Sequence, residues 1–215
     1  MKHIALGVLL LAGCTRSSGP PKLGKGFTDH FDRKELGPDW HNTGGPYHIV
    51  DGALTFVGAH NHPLWLQRRL PDDVQVDVDV VGLSPDGDLK VELMGDGVRF
   101  ENAADVKRDA IYTASGYRFI FGGWHNLRST IARQNEHTWQ YDRSAPRRTD
   151  VRVVPGKRYH WQITKRGGHI EWWIDGLPFL TLDDPEPLQG EGHDRFAFDG
   201  WETGAAFSNL VIKPL

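Results

Sequence analysis

The stretch Val74-Gln-Val-Asp-Val-Asp-Val80 alternates apolar and polar residues without a break. Successive side chains of an extended strand point to opposite faces, so this pattern buries one face and wets the other. A helix would need its apolar residues every three to four positions instead. The alternation returns in Leu89-Lys-Val-Glu-Leu93, in Tyr117, Phe119 and Phe121, in Tyr159, Trp161 and Ile163, and in Ile170, Trp172 and Ile174. Turn signals separate these runs: Pro85-Asp86-Gly87, Gly95-Asp96-Gly97, Gly167-Gly168 and Asp175-Gly176. No stretch carries a long helical period and no internal repeat is evident. The expected fold is all-β, a sandwich or jelly roll of two antiparallel sheets.

The first residues obey another rule. Met1-Lys2-His3 is basic, Ile4 to Leu11 is almost wholly apolar, and Leu11-Ala12-Gly13 leads into Cys14. The apolar run is short of the about 20 residues needed to span a bilayer. A basic start, a short apolar run and small residues before a cut describe an export signal. The ending resembles the lipobox of bacterial lipoproteins. That resemblance implies cleavage before Cys14, a diacylglycerol on its sulfur and a third acyl chain on its new amino group. Several chains anchor stably where one does not. Thr15 stands where an Asp would signal inner-membrane retention, which leans towards the outer membrane. The expected organisation is a signal peptide over 1–13, a lipidated Cys14 with a Pro/Gly-rich tether over 14–26, and one domain over 27–215.

Cys14 is the only cysteine, so no intramolecular disulfide can form despite an oxidising destination. The formal net charge is −3, with acidic and basic residues nearly balanced. That balance argues against a nucleic-acid partner. The pairs Arg68-Arg69 and Arg147-Arg148 read as solvated loops. The membrane is expected to be met through the lipid anchor alone.

The ends of the domain carry a family likeness. Phe31-Asp32, Trp40 and Tyr47-His-Ile-Val-Asp-Gly-Ala-Leu54 stand at the start. Trp161 to Gly176, Asp183-Asp-Pro-Glu-Pro-Leu188 and Phe207-Ser-Asn-Leu-Val-Ile212 stand at the end. Together they resemble the concanavalin A-like lectin/glucanase superfamily, nearest the bacterial domains labelled 3-keto-disaccharide hydrolase or family-16-like. The resemblance covers about residues 27–215, and its motifs are mostly structural. It implies two curved sheets with glycans on the concave face. It also allows a structural calcium, although no EF-hand-like loop is present and turns such as Asp86-Gly-Asp88 read as ordinary. Otherwise no cofactor is expected.

Glycosidases usually need two carboxyl groups, about 5 Å apart in retaining enzymes and roughly 6.5–9.5 Å apart in inverting ones. The Glu-x-Asp-x-x-Glu strand of laminarinase-type members is absent. Glu171 and Asp175 would lie about 13 Å apart on one strand, and Asp77 and Asp79 roughly 6.6 Å apart. Asp77 and Asp79 read best as a solvent-facing polar edge. No Gly-x-Ser-x-Gly elbow supports a serine nucleophile. His60-Asn61-His62 offers two metal ligands but lacks the third that zinc needs, so no metal site is assigned.

Eight tryptophans and eleven histidines are many for this length. Sugars present flat C–H faces beside hydroxyls, so their sites want an exposed ring within reach of hydrogen-bonding groups. Trp40, Trp161 and Trp172 are expected in the core. Trp124 and His125, in Gly122-Gly-Trp-His-Asn126, follow a strand and sit in an expected loop. Trp139 and Tyr141 lie in a polar region, Arg128 to Arg148, with little apolar periodicity, and a loop of that length is usually functional or disordered. Polar residues opposite the apolar strand faces could form a floor: Lys90, Glu92, Arg118, His160, Gln162, Glu171 and Trp173. If they converge, Glu92 and Glu171 are the carboxylate candidates and His160 the acid–base candidate. Three functions follow. One is a lectin-like carbohydrate-binding domain of the cell envelope, using Trp124, His125, Trp139, Tyr141, Trp173, Arg118, Lys90 and Gln162. The others are a glycoside hydrolase-like enzyme using Glu92, Glu171 and His160, and a structural or interaction domain without a sugar site.

Overall fold

A computed structural model describes residues 19–98, 113–137, 140 and 142–215. The strands, in chain order, are β1 (Phe27–Asp29), β2 (Trp40–Asn42), β3 (His48–Val50), β4 (Ala53–Val57), β5 (Leu64–Leu66), β6 (Val74–Gly82), β7 (Leu89–Gly95) and β8 (Thr113–Gly122). They continue as β9 (Arg128–Asn135), β10 (Arg147–Arg148), β11 (Arg158–Arg166), β12 (His169–Ile174), β13 (Leu177–Asp183), β14 (Arg195–Asp199) and β15 (Gly204–Pro214). An eight-stranded sheet runs β13-β12-β11-β6-β15-β4-β3, with β1 also paired to β15. A seven-stranded sheet runs β10-β9-β8-β7-β14-β5-β2. Every strand pair is antiparallel. The expected two-sheet sandwich is the fold.

The alternating runs do what their period requires. Val74, Val76, Val78 and Val80 are buried, while Gln75, Asp77 and Asp79 face outward and are partly exposed. Between the sheets the core is largely aromatic. Trp161 and Trp172 meet at 4.7 Å between ring centroids, Trp172 meets Phe119 of the other sheet at 5.6 Å, and Phe121 meets Tyr159 at 5.1 Å. At the other end Phe198 packs on Trp40 and Phe207. Each such buried side chain contributes about 1.5–3 kcal/mol of hydrophobic free energy. The core stands on packing, as a chain with one cysteine must.

Two boundaries differ from expectation. Residues 19–26 are not wholly a free tether. Lys22 bridges Arg69, the Leu23 N–H donates to the Arg69 carbonyl, and Leu23 is buried in the core. Packed structure therefore reaches back to about Pro21. The region from Arg128 to Arg148 is not one long loop, since β9 occupies its first eight residues and β10 its last two. Ser129, Thr130, Ile131 and Ala132 are all buried, so both faces of β9 are covered. That double burial removes the polar half of the alternation by which a strand is read. The expected signal peptide over 1–13, Cys14, Trp139 and Tyr141 lie outside the described residues.

Candidate functional site

On β7, β8 and β14 the residues between the core positions also turn out to be buried. Leu89, Val91, Leu93, Phe119 and Phe198 point into the sandwich. Lys90, Glu92, Arg118 and Asp199 point the other way, yet Glu92 and Arg118 are 0% exposed and Lys90 4%. Register explains their meeting. Glu92 pairs with Arg118 across β7–β8, and Lys90 pairs with Asp199 across β7–β14.

Two irregular segments lie over this face. In the β4–β5 connection His60 and Asn61 adopt left-handed backbone angles, and their N–H groups donate to the carbonyls of Trp201 and Gly200. Near the end of β9 the chain bends at Gln134, also left-handed, and Glu136 beyond the strand comes back over the sheet. The Arg118 guanidinium reaches Glu136 at 3.1 Å, the Asn61 amide oxygen at 3.1 Å, Asp199 at 2.6 Å and Glu92 at 3.5 Å. Lys90 Nζ lies 3.2 Å from Glu136, 3.3 Å from Asn61 Oδ1 and 3.3 Å from Asp88. Glu92 Oε1 accepts from the Ser115 hydroxyl at 3.0 Å and the Gly116 N–H at 2.7 Å. Glycine is required at 116, because a Cβ there would lie 2.4 Å from the Leu93 carbonyl oxygen.

Four carboxyl groups thus share two cations in a desolvated layer, and their protonation separates. Burial pushes Glu92 up to about 7; Asp199 adds to the rise, and Arg118 with the two hydrogen bonds only partly offsets it. Burial likewise raises Asp88 and Asp199 against the pull of the neighbouring cations. Glu136 goes the other way. Burial would raise it, but Lys90 and Arg118 together hold it down to about 2. Burial opposes the Lys90 charge, yet Asp88 and Glu136 outweigh it, so the ammonium stays protonated beyond its usual range.

The accessible part of this face is its rim. On one side the exposed His60 ring meets half-buried Trp201 edge to face at 5.1 Å, and the Trp201 N–H donates to Asp88 Oδ2 at 2.9 Å. On the other, half-buried Trp124 meets His137 at 5.6 Å, and His137 follows Glu136 in the chain. Lys90 ties the two rims together, since it binds both Asp88 and Glu136. Trp124 belongs to the turn Gly123–Asn126 between β8 and β9. Gly122, Trp124, His125 and Asn126 are all left-handed there. Asn126 holds the turn: its Nδ2 donates to the carbonyls of Pro85 and Val153, and its Oδ1 accepts the Val153 N–H.

The sequence candidates divide between the two sheets. Lys90, Glu92, Arg118 and Trp124 converge on the seven-stranded side. His125 is turned out to solvent near Asp86. His160, Gln162, Glu171 and Trp173 lie on the outer face of the eight-stranded sheet. Glu92 therefore does not meet Glu171 or His160, and no single floor holds all seven polar residues. Asp77 and Asp79 form the expected solvent-facing polar edge. The His60-Asn61-His62 segment splits three ways: His60 to Trp201, Asn61 to the cations, and His62 Nδ1 to the Thr43 carbonyl. Among the described residues no group of three or more His, Cys, Asp or Glu could hold a metal ion. Asp88, Asn61, Glu136, Asp199 and Trp201 were not singled out for this site. The two-residue parity that pairs Lys90 with Glu92 also selects Asp88, whereas Asn61 and Glu136 arrive from loops and carry no such signal.

No family model matches the chain, and no curated protein matches it in sequence. Solved structures do match in shape. A Bacillus subtilis protein of unknown function with a galectin-like fold aligns with a TM-score of 0.62 at 15% identity, over 90% of this chain and 97% of its own. A carbohydrate-binding module, CBM66, from Bacillus subtilis aligns at 0.57 and 12% identity, over 81% and 95%. Domain 4 of the extracellular arabinanase AbnA from Geobacillus stearothermophilus, solved with arabinotriose, aligns at 0.50 and 13%, over 88% and 82%. At such identities the likeness concerns fold alone: the chain has a galectin-like fold, a β-sandwich of two antiparallel sheets.

Proposed function

We propose that the protein is a carbohydrate-binding domain of the cell envelope, held to a membrane by a lipidated Cys14. In this reading the sugar docks at the rim of the seven-stranded sheet's outer face, against Trp201 and His60 on one side and Trp124 and His137 on the other. The observation that carries it is the buried charged layer beneath that rim. Desolvating several charges costs free energy that apolar residues of similar size would not, so such a layer is weak support for stability. A layer of this kind in a site position is better accounted for by function. Here it lies between two ring pairs, joined to Trp201 through Asp88 and to the His137 segment through Glu136, and aromatic platforms flanked by fixed polar groups suit a hydroxyl-rich ligand. The named carbohydrate-binding module and the domain solved with arabinotriose share this fold, which supports the ligand class without specifying the sugar.

Hydrolysis ranks below binding. Glu92, which burial raises to about 7, is itself fully buried and offers no surface to a glycosidic oxygen. The carboxyl excess also disfavours uronic acids. The test is a glycan panel containing neutral and uronate oligosaccharides, with Trp201→Ala and Trp124→Ala alongside the parent chain. Neutral sugars are expected to bind, with each variant losing roughly tenfold or more in affinity, about 1.4 kcal/mol. Uronate oligomers are expected not to bind. A parent chain that ignores every neutral glycan while remaining folded would end this reading.

A further inference from the structure

The outer face of the eight-stranded sheet carries a second constellation that the site above does not use. Register sets its order. Trp173 of β12 lies beside Gln162 of β11, and Gln162 beside Asp77 of β6. In the next row His160 pairs with Asp79, and Asp79 with Ser208 of β15. Neighbouring strands are about 4.8 Å apart, so these side chains form one patch across four strands.

The polar members are already locked. Asp77 accepts from Gln162 at 3.0 Å and from Gln75 at 2.8 Å. Asp79 accepts from Asn209 at 2.9 Å, lies 2.9 Å from His160 Nδ1, and is approached by Arg158 at 3.4 Å. Fixing these rotamers in advance lowers the ordering cost of binding. Trp173 is different. It is half-buried on a wet face, and among the described residues its ring packs on no other ring and its indole N–H donates to no protein group. The tryptophans of the core are enclosed by other rings; this one is presented beside fixed amide and carboxylate groups. Asp77, Asp79, Glu171 and Asp175 outnumber Lys157, Arg158 and Lys213 on this patch, which suits hydroxyl donors and disfavours carboxylated sugars.

We propose that this face is a second carbohydrate-binding surface, for a neutral, hydroxyl-rich sugar chain, with Trp173 as stacking platform and Gln162, Asp77 and His160 as its hydrogen-bonding border. It is independent of the rim site, because no residue is shared. An isotope-labelled full chain, titrated with cellohexaose, xylohexaose, mannohexaose and laminarihexaose, tests it through the indole N–H resonance of Trp173, identified by its loss in Trp173→Phe. At least one of these sugars is expected to shift that resonance. Measured by calorimetry, Trp173→Ala should weaken binding of that sugar roughly tenfold and Gln162→Ala roughly threefold, while Trp173→Phe keeps most of it. Gln162→Ala carries the test should Trp173→Ala fold poorly. Trp201→Ala should leave this binding unchanged, so the two sites can fail separately. A Trp173 resonance unmoved by all four sugars at millimolar concentration, or binding abolished by Trp201→Ala and untouched by Trp173→Ala and Gln162→Ala, would overturn the second surface.

Discussion

Glu92 is placed on a strand whose neighbours on both sides contribute buried charge, and this gives it an unusual titration. Unfolded, its carboxyl would release its proton near 4.5; folded, it holds it to about 7. Between these values the folded chain binds the extra proton. Stability from this group is therefore full below about 4.5, falls as pH rises, and is gone above about 7. The interval corresponds to about 3 kcal/mol. Glu136 acts in the opposite sense: with a folded value of about 2, its contribution is present above 4.5 and is lost as pH falls through 2. Glu92→Gln removes the ionisable group and keeps its shape. Its melting temperature should exceed that of the parent at pH 8 and match it at pH 5. Parallel melting-temperature curves for the two proteins across that range would show that Glu92 does not titrate there.

At the scale of elements, the turn after β8 shows how local strain serves the site. Left-handed backbone costs an ordinary residue roughly 1–2 kcal/mol, and Trp124, His125 and Asn126 adopt it in succession. Glycine is needed at 122, where the left-handed backbone leaves no room for a Cβ 2.4 Å from Asn126 Oδ1. The strain is offset by the three hydrogen bonds of Asn126, two of them buried and one partly so. Asn126→Ala should cost about 2–4 kcal/mol, because it leaves the Val153 N–H and two carbonyls without partners. It should also loosen Trp124 and weaken sugar binding, readable by denaturant unfolding beside the glycan panel. A loss below about 0.5 kcal/mol would mean that water replaces the amide at no cost. Elements with one wet face were legible in advance: β6, β11 and β12 run through the predicted alternations. The β9 strand was not, because Thr130 and Ala132 are buried on the face where alternation demands exposed polar residues.

For the whole molecule, two sheets provide two outer faces of different character. One is sealed over charged groups and rimmed by rings; the other is open and polar with Trp173 standing in it. Among the described residues no helix is long and apolar enough to cross a membrane. The attachment proposed above rests on Cys14. Expressed in a bacterium fed labelled palmitate, the chain should take up label and partition with membranes, and Cys14→Ser should do neither. Label retained by Cys14→Ser, or absent from the parent, would remove the anchor from the proposal.

The residue order by itself determined the fold class, since period two admits only strands and strands with one apolar face must pair into layers. It also determined that Trp161 and Trp172 lie inside, because each sits on the apolar face of its run; Trp40 was expected inside from the family likeness alone. Tertiary structure alone decided which polar faces belong together. Lys90, Glu92 and Arg118 lie on one sheet and His160, Gln162, Glu171 and Trp173 on the other, although all show the same alternation. Alternation records that a side chain points away from the core, and nothing about which of two outer surfaces it reaches. Strand order, set by packing between residues far apart in the chain, supplies that assignment. The loops that carry Asn61 and Glu136 over Lys90 and Arg118 likewise follow from long-range contacts that no local pattern encodes.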